Sequence, residues 1–139
     1  MGVDFRLASL IIREHAWRPI TGTVLLLGRQ TMFFTPEYAM ALVREAGLPV
    51  PNVDFRADSS TRLSKESYIS DEDFFRLLGV PTIRALDVSA YEGADIVHDL
   101  TTPIPPEMEG IADFILDGST LDNVFDALAQ AWRSVGCHQ

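Results

Sequence analysis

The sequence predicts an α/β fold: a mostly parallel sheet of about four strands with helices on its faces. Three observations predict it. Short runs such as Thr23-Val24-Leu25-Leu26-Leu27 are almost wholly apolar, the composition of strands buried on both faces. Amphipathic helical segments alternate with these runs. Three runs end in an aspartate, at Asp87, Asp99 and Asp117. In parallel α/β sheets, ligands bind beyond the carboxyl ends of the strands.

The elements come in this order. Residues 3–16 read as a helix, because Phe5, Ala8, Ile11 and Ile12 form one apolar stripe. Pro19 and Gly22 punctuate its end. Residues 23–27 form the first strand, closed by Gly28. Thr35 is a good N-cap, Pro36 suits the first helical position and Glu37 the first turn. That helix runs to about Ala46, with Gly47 as its stop. Residues 48–69 are polar and weakly patterned, and read as a loop insertion. Ser70-Asp71-Glu72-Asp73 caps a helix carrying Phe74, Phe75, Leu77 and Leu78, and Gly79 ends it. Strands come next at 82–86, 94–98 and 112–116. A last helix begins near Thr120, with Leu121, Val124, Phe125, Leu128 and Trp132 on one face.

Composition bounds the function. The chain has 139 residues, the length of one domain, 1–139. Its net charge is −9, and the imbalance lies in the second half. Residues 1–70 carry 8 bases and 7 acids, whereas residues 71–139 carry 3 bases and 13 acids. Such a half repels a phosphate backbone, which argues against nucleic-acid binding. It leaves room for a nucleoside ligand with little negative charge, and solubility alone also accounts for it. Apolar runs fall far short of the roughly 20 residues a membrane span needs. Asp4, Arg6, Arg13 and Glu14 interrupt any secretory leader, so the expected location is cytoplasmic. The single cysteine, Cys137, allows no intrachain disulfide and no multi-thiolate metal site.

Several motifs are missing. No G-x-G-x-x-G, no G-x-x-x-x-G-K-[ST] and no H-E-x-x-H occurs. His15, His98 and His138 are widely spaced. His98, beside Asp99, is either a base near a pocket or a packed edge residue. Asp71-Glu72-Asp73 has the form of a D-x-D metal or sugar-nucleotide site, but its place after Ser70 favours helix capping.

The strand-end aspartates carry the chemistry. A carboxylate only accepts hydrogen bonds, and vicinal ribose hydroxyls offer two side by side. A second carboxylate can accept from an exocyclic adenine amine. Asp87 and Asp99 therefore suit an adenosine, and a cationic adenosine better than a phosphorylated one.

Three segments extend this pattern. They are residues 87–100 (Asp87-Val88-Ser89 to His98-Asp99-Leu100), Pro103-Ile104-Pro105, and residues 112–125 (Ala112-Asp113-Phe114-Ile115-Leu116-Asp117-Gly118 to Phe125). Together they resemble a class I S-adenosylmethionine-dependent methyltransferase, over about 22–136 and most closely over 83–125. The resemblance implies a Rossmann-like sheet and S-adenosylmethionine as cofactor. It implies that Asp87, with Val88 beside it, holds the ribose, and that Asp99 and Leu100 lie at the adenine. It places Asp117 and Gly118 near the methionine moiety, and Gly28 and Arg29 in the loop under the cofactor. It assigns no catalytic side chain and no metal, and leaves the methyl acceptor unidentified.

The sequence departs from the family in four places. Gly28 stands alone where several glycines are usual, and Arg29 comes directly after it. Arg29 either pairs with the cofactor's carboxylate or blocks the pocket. Asp122-Asn123 stands where Glu-His is usual, and 48–69 has no counterpart. The family sheet has seven strands in the order 3-2-1-4-5-7-6, and this chain supplies four. The expectation is a truncated, cofactor-binding portion, or a chain that pairs with another copy through the edge at 112–116. The alternative reading is a non-catalytic interaction module assembled through that edge. A third is another nucleotide-binding α/β domain.

Overall fold

The computed structural model describes residues 2–55, 67–91 and 93–118. The expected helix from Thr120, and most of the 48–69 insertion, lie outside these. The fold is α/β with parallel sheets. Four strands form one sheet: β2 (Thr23–Leu27), β4 (Thr82–Asp87), β5 (Ile96–Val97) and β6 (Phe114–Asp117). Their order is β5-β4-β2-β6 and every pairing is parallel. In order along the chain this is third, second, first, fourth, a Rossmann-like arrangement. Two further strands, β1 (Gly2–Val3) and β3 (Thr31–Met32), pair with each other in parallel. The described helices are α1 (Phe5–Trp17), α2 (Pro36–Glu45) and α3 (Asp71–Leu77). None is long and apolar enough to cross a membrane.

The described residues divide into two compact units. One contains the four-stranded sheet, from residues 21–29 and 82–118. In its register Leu25 faces Arg84 and Ile115, and Leu27 faces Leu86 and Asp117. Residues opposite each other in register share a face of the pleat. Accordingly Leu25, Leu27 and Leu86 form one core with Leu100 and Ala112, and Ile96, Met108 and Ile115 pack against it. Val24, Leu26, Ala85 and Leu116, on the other face, are buried as well. Burial on both sides is why β2 shows no polar alternation.

The other unit, residues 2–20 and 30–81, holds the helices. Asp4 caps α1 by accepting the Leu7 N–H at 2.9 Å. Thr35 caps α2 through the Tyr38 N–H, with Pro36 at its start as expected. Ser70 caps α3 through the Asp73 N–H at 3.1 Å. Gly47 and Gly79 lie just beyond α2 and α3, as expected for the residues that stop them. Helix α1 packs on α2, and α2 on α3. Phe34, Phe74 and Phe75 stack edge to face, with centroids 5.7 Å and 5.3 Å apart.

Several boundaries differ from those the sequence predicts. The first helix begins at Phe5, not at residue 3, because Val3 is taken into β1 and Asp4 is the cap. The third strand of the large sheet shrinks from 94–98 to Ile96–Val97. The fourth shifts from 112–116 to Phe114–Asp117, because the Asp113 carboxylate accepts the Thr23 N–H at 2.8 Å.

Candidate functional site

The carboxyl edge of the large sheet carries the sequence-predicted residues. Gly28 comes directly after β2, and its N–H donates to the Leu86 carbonyl at 2.7 Å. Its φ of +80° then turns the chain away from the sheet. That conformation strains any residue with a Cβ, so the turn requires glycine. Arg29 is next. Its Nη2 donates to the Gly93 carbonyl at 3.1 Å, reaching from the loop after β2 to the loop after β4.

Asp87 is the last residue of β4, half-buried, one position beyond the Leu27–Leu86 pair. Its carbonyl accepts the His98 N–H at 2.8 Å, which fixes the backbone beside β5. Its Oδ1 accepts the N–H of the next residue, Val88, at 2.7 Å. Its Oδ2 has no hydrogen-bond partner among the described residues, so one acceptor is fixed and the other is available. Val88 itself is exposed.

Asp99 lies two residues past β5 and is exposed. Its Oδ1 accepts the Thr101 hydroxyl at 2.6 Å and the Thr101 N–H at 2.9 Å. The Thr101 hydroxyl, then its N–H, hold the Asp99 carboxyl below its ordinary pKa, aided by His98. The Asp99 carbonyl accepts both the Thr102 hydroxyl and the Thr102 N–H. Asp99 is thus the hub of a four-residue turn. His98 is half-buried, its Nε2 3.4 Å from the Thr102 hydroxyl. Leu100, between Asp99 and Thr101, is 6% exposed and belongs to the core under the sheet.

Asp117 closes β6 in register with Leu27. Asp87 sits one residue further on and one strand to the other side of β2. Side chains alternate along a strand, so Asp117 and Asp87 leave opposite faces of the edge. Two strand spacings also separate them, on the order of 10 Å. The structure therefore groups Gly28, Arg29, Asp87 and Val88, with Asp99 on the flanking turn. Asp117 and Gly118 lie at the far side of β2.

The partners of these residues are less visible in the sequence. Thr101 and Thr102 stand after Asp99 in the spacing of a side-chain-closed turn, which is a readable signal. Gly93 and Asp95 carry no comparable signal. The D-x-D candidate resolves as a cap and an ion pair. Asp73 bonds Arg76 at 3.1 Å, and Asp71 accepts the Gln30 N–H at 2.8 Å. No group of three or more potential ligands is placed to hold a metal among the described residues.

A mostly apolar cavity of about 220 Å³ lies in the helical unit, lined by His15, Val43, Leu48, Pro51 and Leu77. The His15 Nδ1 accepts the Ile20 N–H at 3.0 Å, and the ring also bonds the Leu78 backbone. His15 is spent on holding chain segments together.

No protein-family model matches the chain, and no curated protein or solved structure matches it either.

Proposed function

We propose that the chain is an S-adenosylmethionine-dependent methyltransferase, or the cofactor-binding portion of one. The observation that carries this reading is Asp87. It ends the strand next to the first strand of the sheet, with one carboxylate oxygen fixed by Val88 and the other open to a ribose hydroxyl. The strand order and the resemblance over 83–125 support the same reading.

The residues present fit such a cofactor. Gly28 lets the backbone pass close beneath a ligand, and Arg29 brings a cation to the same edge, its Nη2 reaching the Gly93 carbonyl. The exposed Val88 offers an apolar surface next to the ribose site. Three aspartates along the edge favour a cationic ligand over a dinucleotide or a triphosphate. When bound, the cofactor supplies a methyl group on a sulfonium, ready for direct displacement. The task left to these residues is to bind and orient the adenosine and to exclude water. Asp99 serves the adenine end only through its second oxygen, since Oδ1 closes the Thr101 turn.

Equilibrium titration with S-adenosylhomocysteine, and then competition with ATP and with NAD, tests the reading. One site per chain that neither competitor displaces supports it. Displacement by either nucleotide points to a different nucleotide-binding domain.

A second reading rests on β6. It is the end strand of the sheet, and among the described residues nothing pairs with its outer edge. An open edge strand is a template for another chain. A chain that dimerises but binds no adenosine ligand would be an interaction module instead.

A further inference from the structure

The turn after β5 holds the Asp99 carboxylate in one orientation. Two donors of a single residue converge on one of its oxygens. The Thr101 hydroxyl reaches Asp99 Oδ1 at 2.6 Å, and the Thr101 N–H reaches the same atom at 2.9 Å. Leu100, between the two residues, is buried in the core under the sheet and anchors the backbone of the turn. A backbone N–H only donates, so the atom facing it must be an acceptor. Asp99 Oδ2 has no hydrogen-bond partner among the described residues, and Asp99 is exposed. The Thr101 hydroxyl, and then its N–H, hold the carboxyl below its ordinary pKa, so it is ionised at neutral pH. The outward atom of residue 99 is therefore an oxygen that can only accept.

Purines differ in polarity at one exocyclic position. A 6-amino group donates there, and a 6-oxo group accepts. An ionised carboxylate oxygen pairs with the first and opposes the second. A site built to hydrogen-bond one group discriminates strongly against an analogue that lacks it. Fixing Oδ1 in advance also spares Asp99 the rotational freedom it would otherwise lose on binding.

We propose that Thr101 is a positioning residue that sets the hydrogen-bond polarity of position 99, reserving one oxygen for its own two donors and leaving the other to accept from a 6-amino purine in preference to a 6-oxo purine. This role rests on the cofactor reading, and Thr101 acts through Asp99, not on the ligand. The assignment makes a particular demand on Asp99→Asn. An asparagine free to turn offers its oxygen to an amine and reads adenine as an aspartate does. Held by the Thr101 N–H and hydroxyl, its oxygen is taken inward and its NH2 is left outward as a donor. Such a side chain reads a 6-oxo group.

The test compares S-adenosylhomocysteine with S-inosylhomocysteine, which carries a 6-oxo group in place of the 6-amino group. Titrations are run on the wild-type chain, Thr101→Val, Thr101→Ser and Asp99→Asn, each first shown to melt as the wild type does. The wild-type chain should prefer the 6-amino ligand by about tenfold or more. Thr101→Val keeps the side-chain shape without the hydroxyl and should narrow that preference by about threefold or more, and Thr101→Ser should restore it. Asp99→Asn should reverse the preference and bind the 6-oxo ligand more tightly. If Thr101→Val does not fold, the direction of preference in Asp99→Asn decides. Equal affinity of the wild-type chain for both ligands, an unchanged ratio in Thr101→Val, or an Asp99→Asn chain that still prefers the 6-amino ligand overturns the assignment while leaving the cofactor reading standing. Failure of the folded wild-type chain to bind either ligand overturns both.

Discussion

Asp95 engages both backbone polar groups of Ala85. The Asp95 N–H donates to the Ala85 carbonyl at 2.9 Å, and the Ala85 N–H donates to Asp95 Oδ2 at 2.8 Å. Because β5 is only two residues long, a carboxylate supplies the acceptor that a longer strand would have supplied from its backbone. Ala85 is fully buried, so its N–H has no water to fall back on. Asp95→Ala should cost about 1–3 kcal/mol, the penalty of a buried donor left unpaired. Asp95→Asn keeps an acceptor oxygen and should recover most of it. Urea unfolding of the two variants checks this, and equal stability of Asp95→Ala and wild type would refute it.

This pairing also shows why sequence pattern makes the third strand of the sheet too long. The apolar residues of 94–98 have strand composition, but pattern cannot reveal that a side chain replaces the ladder at Asp95. By contrast β2 is legible to the residue, because both of its faces are buried and its apolar run is unbroken. The helix caps Thr35 and Ser70 are legible because capping is local chemistry between a hydroxyl and an N–H three residues on. Strands β1 and β3 are not legible, since two residues hold no period. Asp87 and Asp117 are legible as strand ends, whereas Asp99 lies two residues past β5, in a turn. Their alternation to opposite faces, and the burial of Leu100, depend on register and packing that only the folded chain defines.

Gly22 precedes β2 with φ +77°, and a Cβ there would collide with the Asp113 carboxylate. That carboxylate cannot simply move aside, because it holds the Thr23 N–H at 2.8 Å. Gly22→Ala should therefore destabilise by more than about 1 kcal/mol, through strain and loss of that bond together. In Asp113→Ala the collision is gone but the bond is lost as well. A double-mutant cycle of Gly22→Ala with Asp113→Ala should be clearly non-additive. Strict additivity would show that the two residues do not share a constraint.

His15 gives the helical unit a pH dependence. Burial lowers its pKa below the ordinary 6.5, only partly offset by the bond to the Leu78 backbone. The unfolded chain therefore takes up this proton at higher pH than the folded chain. The stabilisation is complete above 6.5 and is lost as pH falls toward the lower folded value. Protonation of Nδ1 also removes the acceptor of the Ile20 N–H. Urea midpoints should fall between about pH 7.5 and 5.5, and His15→Gln should flatten that slope. An unchanged slope in the variant would assign the effect elsewhere.

Asp71 is a structural carboxylate. It is 4% exposed, with Oδ2 accepting the Gln30 N–H and Oδ1 the Glu72 N–H, each at 2.8 Å. Asp71→Ala should cost about 1–3 kcal/mol by leaving the buried Gln30 N–H without this acceptor. Added divalent cations should not change the wild-type melting temperature through this segment. A cation-dependent rise that Asp71→Ala abolishes would restore the metal-site reading.

The central claim is that Asp87 holds the ribose of an adenosine ligand at the end of β4. Calorimetric titration with S-adenosylhomocysteine, on the wild-type chain and on Asp87→Ala, tests it most directly. The predicted result is one site per chain, weakened by more than about tenfold, or about 1.4 kcal/mol, in a variant that melts like the wild type. Equal affinity in the two proteins, or no binding by the folded wild-type chain, would contradict it.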